Sequence, residues 1–426
     1  MMSITRRQFI GGMAAAATVA RHDTAHAAKL SFGPASFDVT STSALIWLRP
    51  NGKAQVQVEY GTQASLAGAT LTAPMASTDA TDYTVVTELS GLTPGTEYFY
   101  RGVVSDDGKD LVRGKIGRFR TAPDSAKELV FAWSADMEAG HQPFKILDGV
   151  AKLRPDFFLM LGDTMYADHP KNRFVAALRH YRYKHRENRD DDPLQRMLAA
   201  TSVYAIWDDH EVENDFNSTH PGIPDGRKAF REYWPVRPAD TLYRRFSWTP
   251  AAEFFVLDCR SYRSPQSDSE GPAKTMLGND QKAWLKESLA ASKATFKFLV
   301  SSVPFLVNVG SDVWANYRTE RGELIAFVKR EGIKNLVTLS GDFHMALDLE
   351  ASRLQEFLAG PIGAWPQCSM NPDALQRLKN GGRVFICDGP NYGAVTVRPE
   401  ASPPQIEVQF VDGKGTVRHS KVVPAS

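Results

Sequence analysis

Polar and apolar residues alternate in short stretches up to about residue 123 and gather into solid apolar runs after it. In the first part, Ala44–Leu48, Gln55–Tyr60 and Asp82–Val86 read as short strands, with turn-formers between them and no helix-period segment. Tyr98 and Tyr100 alternate with Phe99, as a half-buried strand requires. The pattern predicts a small all-β sandwich over residues 28–123, with Thr121-Ala122-Pro123-Asp124-Ser125 as the linker.

Beyond the linker, over residues 124–426, strands alternate with helices, the signature of an α/β fold. Leu129–Trp133, Asp156–Leu161, Val203–Trp207, Phe254–Leu257, Phe296–Val300 and Leu336–Leu339 are the expected strands. Pro143–Leu153, Asn279–Ala291 and Thr319–Arg330 are the expected helices, the last two capped by Asn279 and Thr319. Later strands at Gln355–Leu358, Arg383–Cys387 and Ala394–Val397 suggest a second sheet layered on the first. Lys171–Asp192 carries many Arg, Lys and His at helical spacing; this reads as a solvated face, or else as a rim that draws in an anionic substrate.

Charge adds little: Lys+Arg 50 against Asp+Glu 49 gives no overall attraction to nucleic acid or anionic membrane. Cys259, Cys368 and Cys387 form no CxxC pair, which disfavours a zinc–thiolate site; at most one disulfide is expected, with buried free thiols as the simpler reading. The N-terminus changes the picture more. Arg6-Arg7 stands before a short apolar run, Ile10–Ala20, and Ala25-His26-Ala27 has the form of a cleavage site. Residues 1–27 are thus expected to be a twin-arginine signal read by that export machinery, giving a periplasmic or secreted mature protein without a membrane span.

The chemistry is expected where strands end. Leu129–Trp133 runs into Asp136; Asp156–Leu161 into Asp163 and Tyr166; Val203–Trp207 into Asp208, Asp209, His210 and Asn214; Phe254–Leu257 into Asp258 and Arg260; Leu336–Leu339 into Asp342 and His344. Five such ends on one edge of a mostly parallel sheet would gather enough negative charge to demand cations. The donors are hard or intermediate and include no thiolate, which favours iron, calcium, manganese or magnesium over zinc, and a phenolate at Tyr166 favours iron. His344, two residues after Asp342, is expected to face the same way. Asp258 either ligates or pairs with Arg260 or Arg263, Asp168 either ligates or caps a turn, and His141, His169 and His220 either flank the site or are exposed loop residues.

Trp133-Ser134-Ala135-Asp136, Gly162-Asp163-Thr164-Met165-Tyr166-Ala167-Asp168, Trp207-Asp208-Asp209-His210-Glu211-Val212, Asp258-Cys259-Arg260, Ser340-Gly341-Asp342-Phe343-His344 and Glu356-Phe357-Leu358-Ala359-Gly360-Pro361 together resemble the motif set of PhoD-type alkaline phosphatases, of the calcineurin-like metallophosphoesterase class. Leu92–Tyr100 likewise resembles the turn and strand of fibronectin type III domains. The resemblance implies a four-layer α/β/β/α sandwich with two facing sheets, preceded by the small all-β domain. It implies an Fe(III) and Ca(II) cluster, with Mn, Mg or Zn as alternatives, Asp163 bridging, Tyr166 on the iron, Asp209 and Asn214 serving the second metal or the phosphate, and Asp342 and His344 completing the set. Many members of that family carry Ser-Cys-Gln at the first strand end; this chain has Ser134-Ala135-Asp136, and Asp136 is expected to ligate in place of the thiol.

The expected reaction is hydrolysis of a phosphate monoester by metal-activated hydroxide, with Arg260 spreading charge on the phosphate oxygens and His210 assisting the leaving group. The alternative within the class is a phosphodiesterase or phospholipase D. Purple acid phosphatases share a β-domain and a Gly-Asp-x-x-Tyr site, but they expect Gly-Asn-His-Glu and Gly-His-x-His where this chain has Asp208-Asp209-His210-Glu211 and Gly341-Asp342-Phe343-His344. A surface adhesion module is the non-enzyme alternative, and it requires the C-terminal carboxylates to be inert.

Overall fold

The computed structural model describes residues 28–106, 110–366 and 383–426, so the signal expected at residues 1–27 and Cys368 lie outside the described residues. Two sheets face each other. In the first, Leu129–Ser134, Phe157–Leu161 and Ser202–Ile206 run parallel side by side, every residue of the last two buried. In the second, Ala252–Val256, Phe296–Ser301, Leu336–Ser340 and Leu354–Leu358 do the same. Phe131 meets Phe254 and Phe298 edge to face at 5.1 and 5.2 Å, and Phe157 meets Phe254 likewise at 5.3 Å. Each such ring withdraws roughly 1.5–3 kcal/mol of apolar surface from water, which fixes the two sheets against each other. Helices Gly278–Ala291 and Arg318–Arg330 cover the outer face of the second sheet through Leu285, Leu289, Leu324 and Phe327, while Ile146–Leu153 and Asp192–Ala200 lie outside the first. The α/β/β/α layering is therefore present.

The five strand ends, expected on one edge of a single sheet, are divided: three close the first sheet and two the second. A strand buried on both faces pairs equally well with any similar run, so its sequence carries no partner information. The strand expected at Ala394–Val397 in the second sheet spans Asn391–Arg398 and instead lies antiparallel to Leu129–Ser134 in the first.

The N-terminal strands form a sandwich whose halves belong to different sheets. Ala54–Gly61 and Glu97–Ser105 pair in a sheet of six, with Tyr98 and Tyr100 buried and Phe99 half-buried. Leu30–Phe37, Ser43–Pro50 and Val85–Ser90 extend the large sheet, because Phe37 lies parallel to Val203.

Three local expectations are corrected. Neither Asn279 nor Thr319 caps its helix; both fall inside the first turn, and Glu270 accepts the Thr319 amide from outside at 2.7 Å. Lys171–Asp192 is not simply a solvated face: helix Leu178–Arg189 buries Tyr181, Lys184, His185, Asn188 and Arg189. Four of its cations are engaged: Arg182 pairs with Glu232, Arg186 with Asp82 and Lys184 with Glu187, while Arg189 lies 4.1 Å over the Trp234 ring; Lys171, Arg173 and Arg179 are exposed. Finally, Cys259 is a buried free thiol but Cys387 is disulfide-bonded. No helix among the described residues is long and apolar enough to cross a membrane.

Candidate metal centre

Four of the strand-end residues, Asp136, Asp163, Asp342 and His344, have φ between 48° and 67°, the left-handed region that L side chains rarely adopt. Each such residue costs about 1–3 kcal/mol and persists only when its surroundings demand it. Here the turn after each strand reverses sharply enough to aim a polar side chain back over the sheet edges. Space is cleared for it: a Cβ at Gly360 would collide with Asp136 Oδ2, and one at Gly162 with Asp208. Asn391 holds the Gly360 turn in place, its Oδ1 accepting the Gly360 amide at 3.0 Å.

The side chains converge. Donor atoms of Asp136, Asp163 and His344 lie within 4.8 Å of one another; so do those of Asp163, Asp209 and His210, and those of Asp208, Asp209 and Asp342. Asp163 belongs to two of these groups and Asp209 to two. Both carboxylate oxygens of Asp136, Oδ2 of Asp163 and Oδ1 of Asp209 are buried with no hydrogen-bond partner in the protein. Four orphaned anionic oxygens in one place would be prohibitively costly for the protein alone. They are what a cation site looks like when seen from its ligands.

Histidine tautomers support this. His344 Nδ1 donates to the Trp365 carbonyl at 2.6 Å, leaving a lone pair on Nε2, which lies 3.1 Å from Tyr166 Oη and 3.9 Å from Asp136 Oδ1. Burial, the dominant influence, lowers His344 to about 4, so its imidazole is neutral. His210 differs. Its Nδ1 donates to Asp168 Oδ1 at 2.7 Å, and its ring stacks on Tyr166 with centroids 3.9 Å apart. Burial would lower it, but Asp209 and Asp168 outweigh burial and raise it to about 9. Asp168 thus orients His210 and also accepts the Asn214 amide at 3.1 Å, and its carboxylate lies within 4.8 Å of ring nitrogens of His169 and His210. Tyr166 is fully buried, and burial together with Asp163 and Asp136 pushes its hydroxyl well up.

Several expected residues sit elsewhere. Asp342 and His344 do not point the same way by strand alternation, because the strand has ended at Ser340; the left-handed turn sends Asp342 towards Asp208 and Asp209, and His344 towards Asp136. Asp258 neither ligates nor pairs with an arginine side chain. It accepts the Trp207 indole N–H at 2.9 Å and the amides of Arg260 and Ser261, and so shapes its own loop. Asn214 is exposed and enters the site through its backbone amide. Arg260 is fully buried, its fork gripping Asp208 at 2.6 and 2.7 Å and its Nη2 also bonding Asp312. Arg260 neutralises the acid cluster: burial would raise Asp209, and Arg260, then His210, pull it well below the usual carboxylate range, while Arg260 Nη1 is buried with no hydrogen-bond partner in the protein. His220 pairs with Glu213 at 2.9 Å, whereas His141 and His169 stand at the rim.

Two supporting residues escaped the sequence reading. Glu211 accepts Thr164 N and Oγ1 at 2.5 and 2.7 Å and Asp208 N at 2.8 Å, binding two ligand loops together. Asn188 donates to the carbonyls of Met137 and Thr164 at 2.6 and 2.9 Å. Tyr181, Lys184, His185 and Asn188 share helical spacing, a signal masked by the charges around them.

Burial first, and then neighbouring carboxylates, hold Asp136, Asp163 and Asp342 well above 3.8 in the metal-free protein. An acid whose folded pKa is raised contributes stability below its unfolded pKa and loses it as pH rises through the folded value. Metal-free protein is expected to melt at steadily lower temperature as pH rises from 4 to 8, and saturating metal is expected to flatten that slope. Melting curves with and without chelator measure it, and a metal-free Tm that climbs with pH would contradict it.

Comparison with known proteins finds relatives by sequence and by fold. A family model described as PhoD-like phosphatase matches residues 129–380, and one described as PhoD-like phosphatase, N-terminal domain, matches residues 14–123. Alkaline phosphatase D of Bacillus subtilis (strain 168) is 28% identical, over 74% of this chain and 65% of its own length, so the chain spans just under two thirds of that relative. A solved structure of PhoD superposes with a TM-score of 0.77 at 23% identity, covering 93% of this chain and 94% of that one. The purple acid phosphatase PPD1 from yellow lupin (Lupinus luteus) seeds superposes with a TM-score of 0.62 at 12% identity, covering 92% and 74%. Both likenesses show a shared fold.

Proposed function

The chain belongs to the PhoD-like phosphatase family, and from that premise we propose that it is an exported, metal-dependent hydrolase of phosphate monoesters, of alkaline phosphatase D type. The observation that carries the reading is the set of four partnerless carboxylate oxygens on Asp136, Asp163 and Asp209. Asp136, Asp163, His344 and Tyr166 would hold one cation, Fe(III) by the phenol's preference. Asp163, Asp209 and Asp342 would hold another, Ca(II) among hard oxygen donors. Cations bound there would offset the carboxylate charge, bring the pKa of a water towards neutrality and draw charge from the phosphate. The chain's own residues do the rest: Glu211 and Asn188 lock the ligand loops, Arg260 neutralises Asp208, and His210, held by Asp168, presents its other ring nitrogen to the leaving oxygen as a proton donor. Residues 28–123 would form a fibronectin III-like unit beside the catalytic unit at 124–426. The twin-arginine segment would deliver the folded, loaded protein to the periplasm or beyond.

The test is phosphate release from an aryl monoester beside an aryl diester and a phospholipid, with elemental analysis of natively exported protein. Monoester turnover with bound iron and calcium supports the proposal, a dominant diester or phospholipid activity would replace it with the alternative of the same family, and absence of bound metal would end it. His210→Ala is expected to keep its metals and lose about 10²–10⁴ in turnover. Metal lost together with activity would make His210 a ligand instead.

A further inference from the structure

Six of the chain's tryptophans are fully buried, but Trp365 is 41% exposed, and it stands at the mouth of the metal centre. Its position is fixed by the same bond that fixes a proposed ligand, since its carbonyl accepts from His344 Nδ1 at 2.6 Å. Its ring continues a file of rings leading out of the site. Tyr166 stacks on His210 at the bottom; His169 lies 5.3 Å from Tyr166 and 5.2 Å from His210; Trp365 lies 5.1 Å from His169; and His141 meets Trp365 edge to face at 5.2 Å. Exposure increases along the file, from a fully buried Tyr166 to a half-buried His169 and an exposed Trp365. Trp365 thus presents a large aromatic ring to solvent beside His344, the outermost large ring of the file.

Resting on the phosphoesterase reading, we propose that Trp365 and His169 form a stacking platform for the leaving group, and that the preferred esters carry a planar aromatic or heteroaromatic ring, as nucleotides do. Three cations of the basic helix nearby, Arg182, Arg186 and Lys184, are held by Glu232, Asp82 and Glu187. A flat aromatic ring has a face for the Trp365 indole whatever its edge groups, so the selectivity would be for alcohols that carry an aromatic ring over those that do not, and not for one base.

Adenosine 5′-phosphate and ribose 5-phosphate isolate this, because they share the scissile oxygen and differ by the base alone. The metal-loaded wild-type protein is expected to favour the nucleotide at least tenfold in kcat/KM, mainly through KM. Trp365→Ala is expected to reduce that preference to less than threefold, and Trp365→Phe to restore most of it; Tm and metal content read on the same samples separate a folding loss from a contact loss. Equal kcat/KM for the two wild-type substrates, or a preference that survives Trp365→Ala, overturns the platform. If Trp365→Ala fails to fold, the wild-type ratio and the Trp365→Phe ratio still decide. Hydrolysis of neither compound, nor of p-nitrophenyl phosphate, would instead remove the phosphoesterase reading itself.

Discussion

Asp163→Asn is expected to lower phosphate release about a thousandfold or more and to strip metal from both halves of the centre. Asp163 is the carboxylate common to the group with Asp136 and His344 and the group with Asp209 and His210. A metal contributes several kcal/mol of transition-state stabilisation, and each 1.36 kcal/mol is tenfold in rate, which sets the scale. Asparagine is nearly isosteric and keeps an oxygen to accept the His210 amide, the one bond Asp163 Oδ1 makes, at 3.2 Å. The loop should therefore survive while the charge does not. A second readout follows from the same electrostatics. Neighbouring Asp209 and Asp208 repel Asp163 in the metal-free protein, so chelated Asp163→Asn is expected to melt higher than chelated wild type, whereas metal-loaded wild type melts highest of all. A variant that retains both metals and normal turnover would remove Asp163 from the centre.

How far this centre was legible in the sequence depends on what kind of information each residue carries. The runs at Phe157–Leu161 and Ser202–Ile206 announced themselves because a strand buried on both faces must be apolar throughout. The acids that follow them stood out against those runs, and Asp136, Asp163, Asp209 and His344 do meet. Which sheet each run joins was not written there, because interchangeable apolar strands specify depth but not neighbour. The same gap hid the link between Phe37 and Val203, which joins the N-terminal strands to the large sheet. Residues that act through others were invisible for a different reason. Asn188 and Glu211 sit 24 and 47 residues from the Thr164 they secure, and no local pattern encodes such a pairing. Among charged residues the sign was legible but not the partner, so Arg182 and Arg186 read as solvent-facing although Glu232 and Asp82 stand beside them.

Arg260 is the sharpest instance, and it carries the second large expectation: Arg260→Met is expected to destabilise the protein by roughly 3–5 kcal/mol. The guanidinium is wholly buried, bidentate to Asp208 and shared with Asp312, which Arg263 also grips. Methionine fills much of the space but leaves Asp208 in a low-dielectric setting without its counter-ion, and removing one member of a buried pair costs far more than the pair itself contributes. Adding Asp208→Leu to Arg260→Met removes the stranded charge and is expected to recover at least half of the loss; denaturant titration of the two single variants and the double variant reads the coupling. Kinetics below the melting transition separate the two roles open to an arginine here. A neutralising Arg260 predicts that kcat falls in step with metal occupancy while KM moves less than about threefold, because no substrate contact has gone. A tenfold rise in KM with stability and metal content intact would instead put the guanidinium on the phosphate.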